Sequence, residues 1–222
     1  MNRDFSIGEA ELVAEFVKVG QATWDLGLNS LKSGNMSLLL PNRHILITKT
    51  GRSLRGLNSE TDLIAVDCRE TERGEASCEF YVHRAIYLAV NDHQRGAILH
   101  CHGPCTIAAT WVSEDHIPPS YNEAKDVLGK TRVLESRDQE TLGEDADQIA
   151  DALKDAKIVA IRGHGTFALA ETLHECLYLT HLLETSCRVT FMRSSMSGKG
   201  RDAQSSDSGR RPLRLTRKKV TR

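Results

Sequence analysis

Leu12, Val13, Phe16, Val17 and Trp24 recur at the spacing of one helix face, which predicts an amphipathic helix over residues 8–27. Ser6, with Glu9 three residues on, has the capping-box spacing and marks its start. The apolar runs at 37–40 and 44–48 flank Pro41-Asn42-Arg43 and predict two strands around a tight turn. A long loop punctuated by Gly51 and Gly56 leads to a third strand at 63–67. Ser77 suits a helix cap, and Phe80, Ala85 and Leu88 share a face behind it, so a helix is expected over 77–91. A buried strand follows at 96–100, then a short helix over 104–112 opened by Pro104. Beyond Arg132–Glu135 the pattern predicts a helix at 141–155, strands at 157–161 and 166–170 either side of Gly163-His164-Gly165, and a last helix at 171–193. Strands and helices mix without a strict βαβ rhythm and without repeats. The expected fold class is α/β, helices packed on a largely antiparallel sheet rather than a doubly wound fold.

Composition keeps this picture within ordinary globular limits. The chain has 222 residues, 40% of them apolar and 27% charged, enough for one sizeable domain, expected over residues 1–197. No window approaches the roughly 18 uninterrupted apolar residues of a membrane span. The polar N-terminus does not read as an export signal, so the cytoplasm is the expected compartment. The six cysteines, at 68, 78, 101, 105, 176 and 187, include no C-x-x-C pair and read as reduced, mostly buried thiols. Charge is uneven. Residues 198–222 carry nine Lys/Arg against Asp202 and Asp207, a net +7, which leaves −8 on the rest of a chain whose total is −1. That basic, nearly apolar-free tail is expected to be disordered. The acidic body argues against a nucleic-acid partner.

The candidate chemistry lies at the strand ends. His100 and His102 sit two residues apart where an apolar run meets Gly103-Pro104. Residues two apart in a strand share a face about 6.5–7 Å apart at Cα, and imidazoles so placed can converge on one ion with bonds of about 2.1 Å. The same pair also fits two polar residues at a strand end. With Cys105 it would make a closed structural site, although Cys105, like Cys101, reads better as a structural thiol. His164 between two glycines adds a third imidazole at the end of another buried strand, and three histidines leave a fourth position open, as catalytic sites do. Ser33–Ser37, Thr48–Gly51 and Ala76–Cys78 are two Gly-centred turns and a helix start, places whose free N–H groups can bind phosphate oxygens. Glu79 follows directly, and His83 one turn later either orients it or simply pairs with it on the helix surface.

Taken together, Ser-Gly-Asn-Met-Ser, Thr-Lys-Thr-Gly, Ser-Cys-Glu-x-x-x-His, His-Cys-His and Gly-His-Gly, in this order from residue 33 to 165, resemble the class II aldolase/adducin family. The resemblance implies an αβα sandwich around a mostly antiparallel sheet, assembled as a homotetramer with active sites between subunits. It implies Zn2+ or another divalent metal on His100, His102 and His164, and Glu79 as the acid/base carboxylate. Gly34, Asn35, Thr50, Gly51, Ser77 and Cys78 match the phosphate site, with Lys49 and Cys78 in places where the family usually has proline and serine. Tyr121 lies near the place of a proton-donating tyrosine supplied by a neighbouring subunit. The implied reaction is reversible cleavage of a small ketose 1-phosphate, such as L-fuculose 1-phosphate, to dihydroxyacetone phosphate and an aldehyde through a metal-stabilised enediolate. Epimerase, dehydratase and decarboxylase chemistry on the same site, and an adducin-like non-catalytic role, are the alternatives.

Residues 198–222 contribute no apolar face to the domain, so truncation after Ser197 should leave the melting temperature and metal content unchanged. Thermal unfolding and metal analysis of the shortened chain check this.

Overall fold

The computed structural model describes residues 7–90, 96–137 and 141–205, with side chains for 11–90, 96–137 and 141–196. The strands are β1 (Asn35–Leu39), β2 (His44–Thr48), β3 (Leu63–Asp67), β4 (Ala97–Cys101), β5 (His116–Ile117), β6 (Thr131–Leu134), β7 (Ile158–Ile161) and β8 (Gly165–Ala170). They form one sheet in the order β3-β2-β1-β4-β8-β7-β6-β5. Every pairing is antiparallel except β6 with β7. The helices are α1 (Ile7–Asp25), α2 (Phe80–Ala89), α3 (Pro104–Val112), α4 (Asn122–Val127), α5 (Ala146–Lys154) and α6 (Leu173–Ser205).

Alternation along the strands divides the interior in two. Met36, Leu38, Leu46, Leu99 and Ala168 face Phe16 of α1, Ala109 of α3 and Leu179 of α6 in one core. Ile45, Ile47, Ile98, Val159 and Phe167 face Phe80 and Ile86 of α2 and Ile149 and Leu153 of α5 in the other. Full burial of one such large side chain contributes roughly 1.5–3 kcal/mol, and both sheet faces are covered. The result is the αβα sandwich on a mostly antiparallel sheet that the sequence predicts.

Several elements differ from the sequence reading. α2 begins at Phe80, not at Ser77. The Ser77 N–H is drawn to the Thr48 carbonyl (3.0 Å), beside the Lys49–Ala76 bridge, so the chain runs alongside the end of β2 before it coils. Glu79 is thereby the residue before the helix, and Ser77 Oγ accepts its N–H (3.4 Å) instead of capping a longer helix. A 3-10 turn at Gly143–Asp145 precedes α5, splitting the helix expected from residue 141. β5 and α4 are new, two and six residues long, too short to carry a hydrophobic period. α6 continues to Ser205, into the expected tail. The Ser6–Glu9 cap and residues 206–222 lie outside the described residues and side chains. All six thiols are free, and Cys101 packs into the core away from its histidine neighbours. No described helix is long and apolar enough to cross a membrane.

Helix α3 is fixed at both ends. Glu184, buried on α6, accepts the N–H groups of Cys105 (2.9 Å) and Thr106 (2.8 Å) and the Thr106 hydroxyl (2.8 Å). An anion thereby satisfies donors that the first turn leaves open, where the helix dipole favours negative charge. Gly103 makes room for it, since a Cβ there would lie 2.5 Å from Glu184 Oε2. At the other end the Arg162 guanidinium donates to the carbonyls of Thr110, Ser113 and Glu114 and pairs with Glu135 at 2.6 Å. Gly103 follows His102 and Arg162 precedes Gly163-His164, so both clamps border candidate ligands. Glu184→Gln turns an amide donor toward donors and should cost about 1–2 kcal/mol of stability, read as a lower denaturation midpoint.

Candidate metal centre

His100 lies in β4 with Asn35 of β1 abreast on one side and Phe167 of β8 on the other. The Phe167 ring stacks on its imidazole, centroids 4.3 Å apart. Its Nδ1–H donates to the Thr166 carbonyl (2.9 Å), which places the lone pair on Nε2. His102 stands just beyond the strand, its N–H held by the Leu28 carbonyl (2.9 Å) and Asn29 Oδ1 (3.1 Å). Its Nε2 comes to 2.8 Å from His100 Nε2. His164 sits in the turn between β7 and β8, its N–H on the Ile161 carbonyl (3.1 Å). The glycines either side are required. Gly163 has φ +70° with the Trp111 ring against it, and a Cβ on Gly165 would strike the Cys101 carbonyl. Glu79 Oε1 closes the group, 3.1 Å from His164 Nε2 and 3.3 Å from His100 Nε2.

These four side chains offer ligand atoms that all lie within 4.8 Å of one another, and among the described residues no other such group of three or more converges. A tetrahedral ion with bonds of about 2.1 Å separates its ligand atoms by about 3.4 Å. The spacings of 2.8, 3.1 and 3.3 Å match that scale. Two imidazole nitrogens 2.8 Å apart repel unless a proton or a cation lies between them. The donor set therefore fits a divalent cation held by three imidazoles, with the carboxylate as a fourth, displaceable group.

Electrostatics agree. Burial pushes the Glu79 carboxyl up, but positive charge at the facing His100 ring, there when Nε2 also carries a proton, outweighs it together with hydrogen bonds to His164 and Asn35 and holds it well below the usual carboxylate range. Burial, then the neighbouring His100 and His164, lowers His102 to about 3, so it is the neutral imidazole that a metal needs.

Glu79, His102 and His164 line one cavity of about 430 Å3 together with Gly34, Asn35, Thr50, Gly51, Ser77 and Cys78, a volume that suits a small molecule. The six residues differ in what they offer. Among the described residues the N–H groups of Gly34, Gly51 and Cys78 have no acceptor. Gly34 and Gly51 have φ of +77° and +73°, the left-handed backbone conformation that anion-binding nests use. The Ser77 hydroxyl accepts from Glu79 N–H and keeps its own proton to donate. Thr50 is committed, its N–H to the Glu75 carbonyl (3.0 Å) and its hydroxyl to the Ala76 carbonyl (2.6 Å). Asn35 spends its amide on Glu79 Oε2 and His83. Lys49 lines the cavity but pairs with Glu75 at 3.0 Å.

Lys32 and Arg52 also line the cavity, unforeseen from the sequence although each lies within two residues of a Gly-centred turn. Arg52 pairs with Asp62 at 3.4 Å, whereas Lys32 has no described carboxylate within ion-pair distance. Tyr121 precedes α4 and does not line the cavity of its own chain. Cys105 is not among the converging ligands.

The sandwich thus carries three imidazoles and a carboxylate beside a cavity edged by two glycine turns. The sequence model of the class II aldolase and adducin N-terminal domain matches residues 14–191, and the chain belongs to that family. L-fuculose-1-phosphate aldolase from Thermus thermophilus superposes with a TM-score of 0.79 at 29% identity, over 85% of this chain and 97% of that one. The 3-oxo-tetronate 4-phosphate decarboxylase of Escherichia coli (strain K12) is 24% identical over 197 residues, 85% of this chain and 90% of the relative. Methylthioribulose-1-phosphate dehydratase of Gluconobacter oxydans (strain 621H) is 27% identical over 178 residues, 73% and 83% of the two chains.

His100→Ala and His164→Ala should each lower bound divalent metal below the wild-type amount. Full metal occupancy in both variants, measured on purified protein, would remove these residues from the ligand set.

Proposed function

We propose that this chain is a zinc-dependent aldolase that reversibly cleaves a small ketose 1-phosphate to dihydroxyacetone phosphate and an aldehyde, working as a homotetramer with sites between subunits. One observation carries the reading. Glu79, with a carboxylate oxygen 3.1 and 3.3 Å from two imidazole nitrogens, lines the same cavity as Gly34, Gly51 and Cys78, whose backbone N–H groups have no acceptor among the described residues. That arrangement couples a proton carrier to an anchor for a phosphorylated substrate.

The N–H groups of Gly34, Gly51 and Cys78, the Ser77 hydroxyl and the Lys32 ammonium bind the phosphate and hold the carbon chain toward Glu79. A bound metal supplies Lewis acidity for negative charge that develops on a carbonyl oxygen. In the direction of synthesis Glu79 Oε1 removes a proton from the hydroxyl-bearing carbon of dihydroxyacetone phosphate, and in cleavage it returns that proton to the same carbon. Glu79 cannot serve as ligand and proton carrier together, so substrate must displace it before it acts. Tyr121, reaching across a subunit boundary, gives the aldehyde oxygen its proton in synthesis and accepts it in cleavage. The six free thiols suit the cytoplasm, where they stay reduced.

Decarboxylation of a phosphorylated 3-oxo acid is the second reading. The relative that acts as a decarboxylase supports it, as does Arg52, a second cation lining the cavity besides the Lys32 assigned to the phosphate. A non-catalytic, adducin-like role leaves the convergence of Glu79 with three histidines unused.

A panel of ketose 1-phosphates and phosphorylated 3-oxo acids separates these readings. Release of dihydroxyacetone phosphate together with an aldehyde from a ketose 1-phosphate supports the aldolase, whereas release of carbon dioxide and a phosphorylated ketone from a 3-oxo acid, with no ketose 1-phosphate cleaved, replaces it with the decarboxylase. Glu79→Gln should keep fold and metal while lowering kcat by about 10²- to 10⁴-fold. A near-normal rate moves the proton-carrying role to another residue.

A further inference from the structure

Behind Glu79 runs a buried chain of polar side chains that crosses from the sheet to α2. Asn35 Nδ2 meets Glu79 Oε2, Asn35 Oδ1 meets His83 Nε2 at 2.6 Å, His83 Nδ1 meets Ser37 Oγ at 2.7 Å, and Ser37 Oγ meets Tyr87 OH at 2.8 Å. His83 and Ser37 are fully buried, and Asn35 and Tyr87 are 5% exposed. As far as Ser37, the direction of every bond follows from the carboxylate end. An ionised carboxylate only accepts, so the NH2 group of Asn35 faces Glu79 and its carbonyl oxygen faces His83. That oxygen also only accepts, so His83 carries its proton on Nε2. Nδ1 is then bare, so the Ser37 hydroxyl donates to it. The Tyr87 hydroxyl has one proton, which lies between Ser37 Oγ (2.8 Å) and the Gly96 carbonyl (3.2 Å). From Ser37 through His83 and Asn35 the donors thus point one way, toward Glu79.

We propose that His83 is a positioning residue, locked as its Nε2–H tautomer, which acts through Asn35 to hold Oε2 of Glu79 and reserves Oε1 for the cation and the substrate. Two strand residues and one helix residue serve a carboxylate that none of them could fix alone. Asn35 and Ser37 lie two apart on the same face of β1, and His83 one turn into α2 bridges them. A free Asn35 amide can flip, presenting its oxygen to a carboxylate it would then repel. The His83 N–H forbids that flip. The edge of Phe167 packs on the His83 ring, 5.9 Å between centroids, and limits its rotation. The tautomer rests on geometry alone, and the consequence for turnover rests on the role proposed for Glu79.

The two parts are therefore tested separately. Nitrogen NMR of the full-length, metal-free chain labelled at its histidines, with the His83 signals assigned by their loss in His83→Gln, should show a protonated, pyrrole-type Nε2 and a bare, pyridine-type Nδ1. A proton on Nδ1, or on both nitrogens, overturns the proposal whatever reaction the protein performs. In kinetics on the substrate found above, His83→Leu should keep metal content and KM but lower kcat by about 10- to 100-fold, as lost support of a site carboxylate or ligand does. His83→Gln should recover most of that loss, because its amide NH2 can still donate to Asn35. Equal kcat in the Leu and Gln variants, or a normal kcat in the Leu variant, overturns the positioning role. Should the Leu variant not fold, the wild-type tautomer and a Gln variant with wild-type kcat support the proposal, and a Gln variant as slow as Glu79→Gln overturns it.

Discussion

A carboxylate removed from water must be answered by donors or by a cation, and Glu79 sets that condition for the rest of the site. Its oxygen toward the cavity is met by His100 and His164, its other oxygen by Asn35. Meeting it from both sides takes strands far apart in sequence. β1 brings Asn35, β4 brings His100, and the β7–β8 turn brings His164. The sheet order β1-β4-β8 is what sets them side by side. Because β1 and β4 run antiparallel with Asn35 opposite His100, a slip of one residue would turn one of the pair to the other face of the sheet. The two cores fix the register through the alternation of Met36 and Leu38 with Asn35 and Ser37.

The sequence pointed to the four side chains that converge and to their framework, but not to the wiring behind them. His100, His102 and His164 stood out because they lie at the ends of apolar strands, with glycine next to His102 and His164, a pattern local enough to see. The spacing of Glu79 and His83 suggested direct contact along one helix. In the fold Asn35 intervenes, because Ser77 pairs with Thr48 and delays the helix until Phe80, turning Glu79 toward the sheet. Periodicity does not report a hydrogen bond between chain segments 44 residues apart. The same limit hid Glu184, which sits in the apolar stretch of α6 and meets α3 only after 78 residues of intervening chain. It also concealed that the donors of Thr50 are taken by the neighbouring loop while those of Gly51 are not. β5 and α4 escaped notice for a plainer reason, being shorter than any hydrophobic repeat.

Family membership and the chemistry of this particular chain are different questions. The relatives named above carry out aldol cleavage, decarboxylation and dehydration on one architecture. All three reactions need charge stabilised next to a carbonyl and a proton delivered at a defined place, and the histidines with Glu79 are suited to those shared needs. What distinguishes the reactions has to come from the rim of the cavity. Lys32 and Arg52 belong there. Fold and candidate metal ligands are thus the parts least able to discriminate between products, and the cations bordering the glycine turns the parts most able to do so.

Trp111 is 67% exposed, yet its indole lies against Gly163, the residue before His164. The only other tryptophan, Trp24, sits on α1 beneath the guanidinium of Arg55, 4.9 Å from the ring centre. An aromatic ring resting on the turn that carries His164 changes its surroundings whenever that turn shifts. The chain therefore carries a built-in optical probe, whose emission senses events at the neighbouring imidazole without any added label.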